Sequence, residues 1–386
     1  MSISRRQLLI GTAAVGLAQS LPRSIIAATP EPFRVNLWLR LNKKRTKQQW
    51  KDYFALLKRA GVHGIYPQVY QNSHARYQSA VLPVRRPVLE LIAPLAVVAG
   101  LEVHAWMHTM LCNVPSVLSA HPEWFAVSAS GKSTSDQPPY TSHYRFLCPT
   151  RPAVCRFLLS IVDELCAMDG LRGVHLDFVR HPDVFLPAKF SRKRGLPDQL
   201  SGLKVAQYGQ MQVQVQPDTD FCYCQVCQDE FKGSTGFSLT TPRSAEVEQA
   251  WATFRLDRLS TLVGVLSARC RAAQKEISAA VFPTPALSRH IVRQAWDTWP
   301  LDAAMPMIYH KNYEKPLSWI QQATTQAKKE VSGRFPIYTG ILLSSVPTNR
   351  TLAAIEFARQ GGAAGVTLFN TNAEDLRVME AQRSSE

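Results

Sequence analysis

The feature that most constrains this fold is a repeated alternation of short apolar segments with longer amphipathic segments. Short runs rich in β-branched and aromatic residues predict buried strands, and the 3.6-residue periodicity between them predicts helices. Such alternation is typical of parallel sheets, because parallel neighbours need a crossover helix between them. We predict eight strands, which begin near residues 33, 64, 101, 173, 276, 303, 335 and 365.

Eight strand–helix units in a chain of 386 residues predict a (β/α)8 TIM barrel. The alternative is an open doubly wound sheet, but no GxGxxG or GxxxxGKS/T motif follows a predicted strand, and we expect no cofactor. Two connections, residues 112–150 and 180–244, are too long for simple loops. They form insertions after strands 3 and 4, on the barrel face where enzymes keep their sites.

The first thirty residues differ from the rest of the chain. An Arg5-Arg6 pair precedes a short Gly/Ala-rich apolar segment, which is typical of a twin-arginine export signal. An N-terminal membrane anchor is the alternative, although the apolar run is short for a permanent span. We predict a signal over residues 1–30, one barrel domain over residues 31–386 without a membrane segment, and a periplasmic or secreted location.

The segment LRGVHLDFVRHPD contains a predicted buried strand with an unusual density of ionisable side chains, which are His175, Asp177, Arg180, His181 and Asp183. Buried strands normally avoid such groups. Side chains alternate along a strand, so if Val174, Leu176 and Phe178 face the helices, His175 and Asp177 point into the barrel. Asp177 then lies at the mouth of the barrel; a structural ion pair with Arg180 is the alternative.

The same alternation places aromatic and polar side chains on the inner face of other strands, with Arg40 and Tyr70 among them. Aromatic platforms and hydrogen-bonding groups around a carboxylate suit a sugar ring. We predict as substrate-binding residues Trp38, Gln68, His104, Trp106, His108, His175, Arg180 and Tyr309. For the two tryptophans the alternative is filling of barrel layers, and for His104 and His108 it is a core position or metal binding.

Three cysteines, Cys222, Cys224 and Cys227, lie within six residues of one another. Three thiols can hold a metal, but zinc usually has two spaced pairs of ligands, and no second CxxC or HxxxH lies beside them. In an oxidising compartment we favour disulfides, which would reach to Cys112 or Cys148, over metal binding, and we predict no metal site.

Charge gives a weaker indication of the partner. The formal net charge is +15, spread along the chain, and no long basic helix or basic strand with interleaved aromatic residues occurs. We predict no nucleic-acid partner. A spread positive surface is usually solvated charge, and an acidic partner such as an anionic glycan is the alternative.

Several segments together carry a family resemblance. In chain order they are HAWMHTMLCN, HPEWFAVSASGKS, FLCPTRPAVCRF, GVHLDFVRHPD, DTDFCYCQVCQDEF, AAVFPTPALSRHIVRQAWDTW and LDAAMPMIYH. From about Val35 to Asn370 the sequence resembles the bacterial family-ten-like glycosyl hydrolases, which are exported glycosidases. The resemblance implies a TIM barrel distantly similar to the alpha-amylase superfamily, with Gly173, His175 and Asp177 at the places of the glycine, basic residue and nucleophilic aspartate on strand 4.

The sequence departs from that superfamily on strand 5, where AAVFP has no counterpart of the acidic glutamate. We predict a glycoside hydrolase acting on a poly- or oligosaccharide, with Asp177 and Asp183 as catalytic carboxyls and Asp220 as the alternative to Asp183. Arg180 would keep Asp177 ionised, while its partner would stay protonated. Two rival functions are a non-catalytic carbohydrate- or cell-wall-binding barrel and a metal-dependent hydrolase that uses His104, His108 and His175.

Overall fold

Eight parallel strands form the centre of the computed structural model, which describes residues 32–41, 44–185, 215–240 and 242–385. The predicted export signal, residues 1–30, lies outside the described residues, while Phe33–Glu386 forms one compact unit. The strands are β1 Arg34–Leu39, β2 Gly64–Tyr70, β3 Glu102–His108, β4 Gly173–Asp177, β5 Glu276–Val281, β6 Ala303–Pro306, β7 Tyr338–Leu342 and β8 Gly365–Phe369.

The strands pair in the order β6-β5-β4-β3-β2-β1-β8-β7, and every ladder is parallel. Isolated parallel bridges from Ala304 to Ile337 and from Met307 to Gly340 link β6 to the β7 side and nearly close the sheet. Closure leaves few free strand edges, as expected of a barrel. The predicted (β/α)8 TIM barrel with insertions after strands 3 and 4 is therefore confirmed.

Helices cover the outside of the barrel. Thr46 caps the first helix in a capping box with Gln49, and Ser244 caps the longest helix, so both begin at sequence signals. The described helices are α1 Lys47–Arg59, α2 Leu89–Val98, α3 Pro115–Ala120, α4 Pro152–Cys166, α5 Gln225–Thr235, α6 Ala245–Ala272, α7 Pro285–Val292, α8 Trp319–Val331, α9 Thr351–Gln360 and α10 Ala373–Ser384. No helix within the described ranges is long and apolar enough to cross a bilayer.

Helix α7, the crossover helix after β5, was not predicted from the sequence. This helix has only 8 residues, too few for a clear periodic pattern, although Thr284 caps it and Pro285 occupies its first turn. Gln294, in the segment that follows α7, lines the cavity at the carboxyl ends of the strands.

Two aromatic residues depart from the predicted alternation. The pairing of β2 with β3 shifts between Gln68 and Tyr70, so Tyr70 joins the outer core while Gln71 lines the cavity. A bulge of this kind turns the following side chain to the other face. Phe178 also lines the cavity instead of facing the helices, because its backbone is left-handed, with φ 51°.

A buried ion cluster fastens the insertion after β4. Asp220 accepts hydrogen bonds from Arg255 on α6, at 2.6 Å, from Arg293 at the end of α7, and from the Tyr223 hydroxyl, at 2.6 Å. Burial acts to raise the pKa of Asp220, but the two guanidinium groups hold it well below its usual range. Asp220 thus joins the insertion to two barrel helices.

Candidate active site

The carboxyl ends of the strands surround a cavity of about 480 Å³. Pockets for small molecules usually enclose about 300–1,000 Å³, so a sugar unit is within its capacity. Eight of its lining residues come from strands, namely Trp38, Gln68, Trp106, His108, Asp177, Ala280, Leu342 and Phe369. The two insertions supply Tyr140, Tyr144, Arg180 and Asp183, and Tyr309 follows β6.

Asp177 ends β4, opposite His108 in the parallel ladder. One carboxylate oxygen accepts a hydrogen bond from Trp106 Nε1 at 2.9 Å, and the other accepts one from the Phe178 backbone N–H at 2.7 Å. Burial nevertheless raises the pKa of Asp177 to about 6, against the opposing effects of these two donors and of Arg180. Asp177 can therefore hold a proton close to neutral pH, as a catalytic acid must.

The residue after Asp177 has a backbone conformation that costs energy. Phe178 is left-handed, which a bulky side chain rarely adopts. Its N–H donates to the Asp177 carboxylate, and its ring lies 4.6 Å from the ring of His108. Backbone strain of this kind often occurs at functional sites.

Arg180 pairs with Asp183 and not with Asp177. Its Nη1 lies 2.9 Å from Asp183 Oδ2 and also donates to the His181 carbonyl. The Tyr140 hydroxyl donates to the same carboxylate oxygen of Asp183 and accepts from the Asp183 N–H at 2.9 Å. The structural ion pair of Arg180 with Asp177, the alternative in the sequence analysis, is not formed, because the guanidinium group faces Asp183.

Aromatic rings surround the guanidinium group of Arg180. The ring centroids lie 5.0–5.9 Å from its central carbon, close enough for cation–π attraction. These rings are Tyr144, Phe146, Phe178 and Phe282. Burial against them fixes the ion pair with Asp183 in one geometry.

Asp177 and Asp183 are the two carboxyl groups among the described residues that line the cavity. The alternative second carboxyl, Asp220, is engaged in its ion cluster and does not line it. On the fifth-strand side the cavity wall is formed by Ala280 and Phe282, as the sequence indicated.

His108 and Gln68 adjoin Asp177. Gln68 Nε2 lies 3.0 Å from His108 Nε2, and that ring nitrogen is 3.8 Å from Asp177 Oδ2. Burial, followed by the positive charge of Arg40, lowers the pKa of His108 to about 3, so the ring is neutral at physiological pH. His108 therefore contributes a polar surface to the cavity rather than a charge.

His175 lies behind the cavity wall. The Trp38 indole N–H donates to His175 Nε2 at 2.9 Å, so the ring proton is on Nδ1 and is donated to Ser278 Oγ at 2.9 Å. Burial lowers the pKa of His175 well below its usual value. His175 does not line the cavity but holds Trp38, which does.

His104 lies at the opposite end of the barrel, beside a second cavity of about 160 Å³. Its ring stacks on Tyr66, with centroids 4.6 Å apart, and its Nε2 is 3.9 Å from Glu102 Oε2. Gly173 is required here, because a Cβ atom would come within 2.8 Å of His104 Nδ1 and 2.4 Å of the Glu276 carbonyl oxygen. The amino-terminal face of a barrel usually serves stability.

The structure thus gathers eight of the ten predicted site residues around one cavity and leaves His104 and His175 outside it. It adds Tyr140, Tyr144 and Phe178, which had no local sequence signal beyond their position in or beside the insertions. The three histidines of the metal-hydrolase hypothesis do not cluster. Over the described residues, the candidate metal-binding group consists of Cys148, Cys222, Cys224 and Cys227.

A nearly closed parallel barrel with two carboxyl groups in an aromatic cavity at the carboxyl ends of its strands is the architecture of a glycoside hydrolase-like TIM barrel. Residues 33–354 match the family model described as glycosyl hydrolase-like 10, and the chain belongs to this family. A comparison with curated protein sequences gave no match.

Solved structures with the same fold include several glycoside hydrolases. The PgaB (BpsB) glycoside hydrolase domain from Bordetella bronchiseptica is 16% identical, with a TM-score of 0.64 over 91% of this chain and 98% of that one. The catalytic domain of beta-amylase from Paenibacillus polymyxa is 14% identical, with a TM-score of 0.59 over 90% and 95%. Beta-galactosidase from Marinomonas ef1 is 9% identical, with a TM-score of 0.60 over 91% and 59%.

Proposed function

We propose that this protein is a glycoside hydrolase that cleaves O-glycosidic bonds in a poly- or oligosaccharide outside the cytoplasm, with Asp177 and Asp183 as its catalytic residues. The proposal rests on the position and the protonation of the Asp177 carboxyl group. Its carboxyl group lies in an aromatic cavity at the end of β4, accepts two N–H donors and has a pKa raised by burial to about 6.

The environments of the two carboxyls suggest their roles. A buried carboxyl with a raised pKa suits the general acid that protonates the glycosidic oxygen, and an ion-paired carboxyl stays ionised. Asp177 fits the first description, and Asp183, paired with Arg180, fits the second. These roles are the reverse of those in the sequence-based hypothesis, in which Arg180 keeps Asp177 ionised. Asp183 would then act as the base or nucleophile, or stabilise positive charge on the sugar.

The cavity wall indicates how the substrate would bind. Trp38, Trp106 and Tyr309 offer apolar faces for a sugar ring, while Gln68 and His108 offer hydrogen-bonding groups for its hydroxyls. Arg40 also lines the cavity and forms no ion pair with a described carboxylate. With the net charge of +15, this favours glycans that carry acidic groups.

The test is hydrolysis of a panel of neutral and anionic oligosaccharides by the wild-type protein and an Asp177→Asn variant. The amide has nearly the same shape but cannot donate the proton, so we expect hydrolysis to fall by at least about 100-fold with substrate binding retained. Asp218→Asn, at an exposed ion pair with Lys132, is the matched control and should keep full activity.

Thermal unfolding of the same preparations separates chemistry from folding. No Lys or Arg side chain loses an ion-pair partner in Asp177→Asn, because Arg180 pairs with Asp183, so no cation is left buried and unpaired. A folded, fully active Asp177→Asn protein would contradict the assignment. Binding of glycans by the wild type without hydrolysis of any would instead favour the non-catalytic carbohydrate-binding barrel. The cavity side of β5, where Ala280 and Phe282 stand without a carboxyl group, also points to that function.

A further inference from the structure

Four buried cysteines meet where the two insertions touch. Cys148 belongs to the insertion after β3 and precedes α4, while Cys222, Cys224 and Cys227 lie at the start of α5 in the insertion after β4. Their sulfur atoms all lie within 4.8 Å of one another. All four side chains are at most 4% exposed. Cys148 therefore adds a fourth sulfur atom to the three of the CxCxxC segment, from a part of the chain distant in sequence.

The three sulfur atoms of Cys148, Cys224 and Cys227 are nearly equidistant, and Cys222 Sγ lies within 4.8 Å of each of them. Cys148 Sγ lies 3.6 Å from Cys224 Sγ and 3.4 Å from Cys227 Sγ, and the latter two are 3.6 Å apart. Four thiolates at about 2.3 Å from a zinc ion occupy the corners of a tetrahedron with edges of about 3.8 Å. A disulfide would instead bring one pair to about 2.05 Å and leave the others apart. Among Cys148, Cys224 and Cys227 no pair of sulfur atoms is closer than 3.4 Å.

The surroundings also suit thiolate ligands. The Val127 backbone N–H donates to Cys222 Sγ at 3.4 Å, and the Thr150 hydroxyl lies 3.1 Å from Cys227 Sγ. Hydrogen bonds from such groups orient metal ligands and stabilise their negative charge. All four cysteines belong to the hydrophobic core, which shields their sulfur atoms from water.

We propose that Cys148, Cys222, Cys224 and Cys227 form a structural zinc site that holds the two insertions together. Four sulfur ligands complete the tetrahedral coordination, so the site is of the closed, structural kind. The backbone already joins the insertions beside it, where the Tyr223 N–H donates to the Val127 carbonyl at 2.7 Å and the Ala129 N–H to the Asp220 carbonyl at 2.9 Å. The zinc would thereby support the loops that supply Tyr140 and Asp183 to the cavity.

The experiment measures the metal content of the full chain purified without a histidine tag and without chelators. We expect about one tightly bound zinc per chain. Mass spectrometry of unreduced, denatured and alkylated protein should find all four cysteines as free thiols. Exchange of the zinc for Co²⁺ should give thiolate-to-cobalt charge-transfer bands and the strong visible bands of tetrahedral cobalt.

Variants locate the metal. Cys148→Ser and Cys227→Ser, from opposite insertions, should each lose the bound zinc, and Cys155→Ser, a half-buried cysteine outside the cluster, should retain it. The proposal is overturned by a disulfide between any two of the four cysteines, by wild-type protein without a tightly bound metal, or by variants that keep a full equivalent. The measurements on the wild type decide the question even where a variant fails to fold, and none depends on glycosidase activity.

Discussion

At the scale of residues, opposing influences act on the protonation of Asp177. Its two N–H donors and the nearby guanidinium groups favour the carboxylate, whereas burial favours the neutral acid and is the larger effect. His108 and His175 are both neutral because burial lowers their pKa values. Of these three groups, Asp177 is the one whose pKa lies close to neutral pH.

The pH dependence of hydrolysis should distinguish an acid from a nucleophile at Asp177. If Asp177 is the general acid, it must be protonated, and kcat/KM should fall about tenfold per pH unit above its pKa of about 6. If it is the nucleophile, it must be ionised, and kcat/KM should fall below that pH. The measurement is a kcat/KM profile from pH 4 to 9 on the best substrate, and a loss only on the acid side would contradict the acid role.

At the scale of elements, the barrel strands position the cavity and the insertions complete it. Asp177 is placed by the ladder between β3 and β4, in which it lies opposite His108. Asp183 is placed by contacts with Arg180 and with Tyr140 from the other insertion. The insertions in turn depend on the Asp220 ion cluster, which joins them to α6 and α7.

Removing the charge of Asp220 should therefore destabilise the protein. Asp220→Asn leaves Arg255 and Arg293 buried without a full counter-charge, and we expect it to lower the free energy of unfolding by about 3–5 kcal/mol. The control Asp218→Asn breaks an exposed pair two residues away and should cost at most about 1 kcal/mol. Denaturant unfolding of both variants at neutral pH measures these changes. An equally small loss of unfolding free energy in the two variants would show that the cluster contributes little to stability.

At the scale of the whole molecule, we propose that the chain is exported by the twin-arginine route, which carries folded proteins. This route would allow a thiol-rich site to take up its metal before the protein meets an oxidising compartment. Replacing both Arg5 and Arg6 with Lys should retain the protein in the cytoplasm. Cell fractionation followed by immunoblotting checks this, with a lysine substitution of Arg34 inside the barrel as control. Export of the double variant at the normal rate would refute the route.

The sequence by itself determined the barrel, the two insertions and the place of Asp177. All three follow from local periodicity: alternation fixes which side chains of a strand face inward, and parallel strands bring their carboxyl ends to one face. Over the described strands, the alternation failed at Tyr70 and Phe178, where a shift in pairing and a left-handed backbone changed the direction of the side chain.

Only the tertiary structure decided which distant groups meet. Arg180 lies three residues from both Asp177 and Asp183, and in the structure it pairs with Asp183 while its guanidinium group contacts aromatic rings from other segments of the chain. Asp220 is drawn away from the cavity by two arginines, and Cys148 joins three cysteines more than seventy residues away. Such contacts are set by long-range packing between insertions, on which the periodicity of a single segment carries no information.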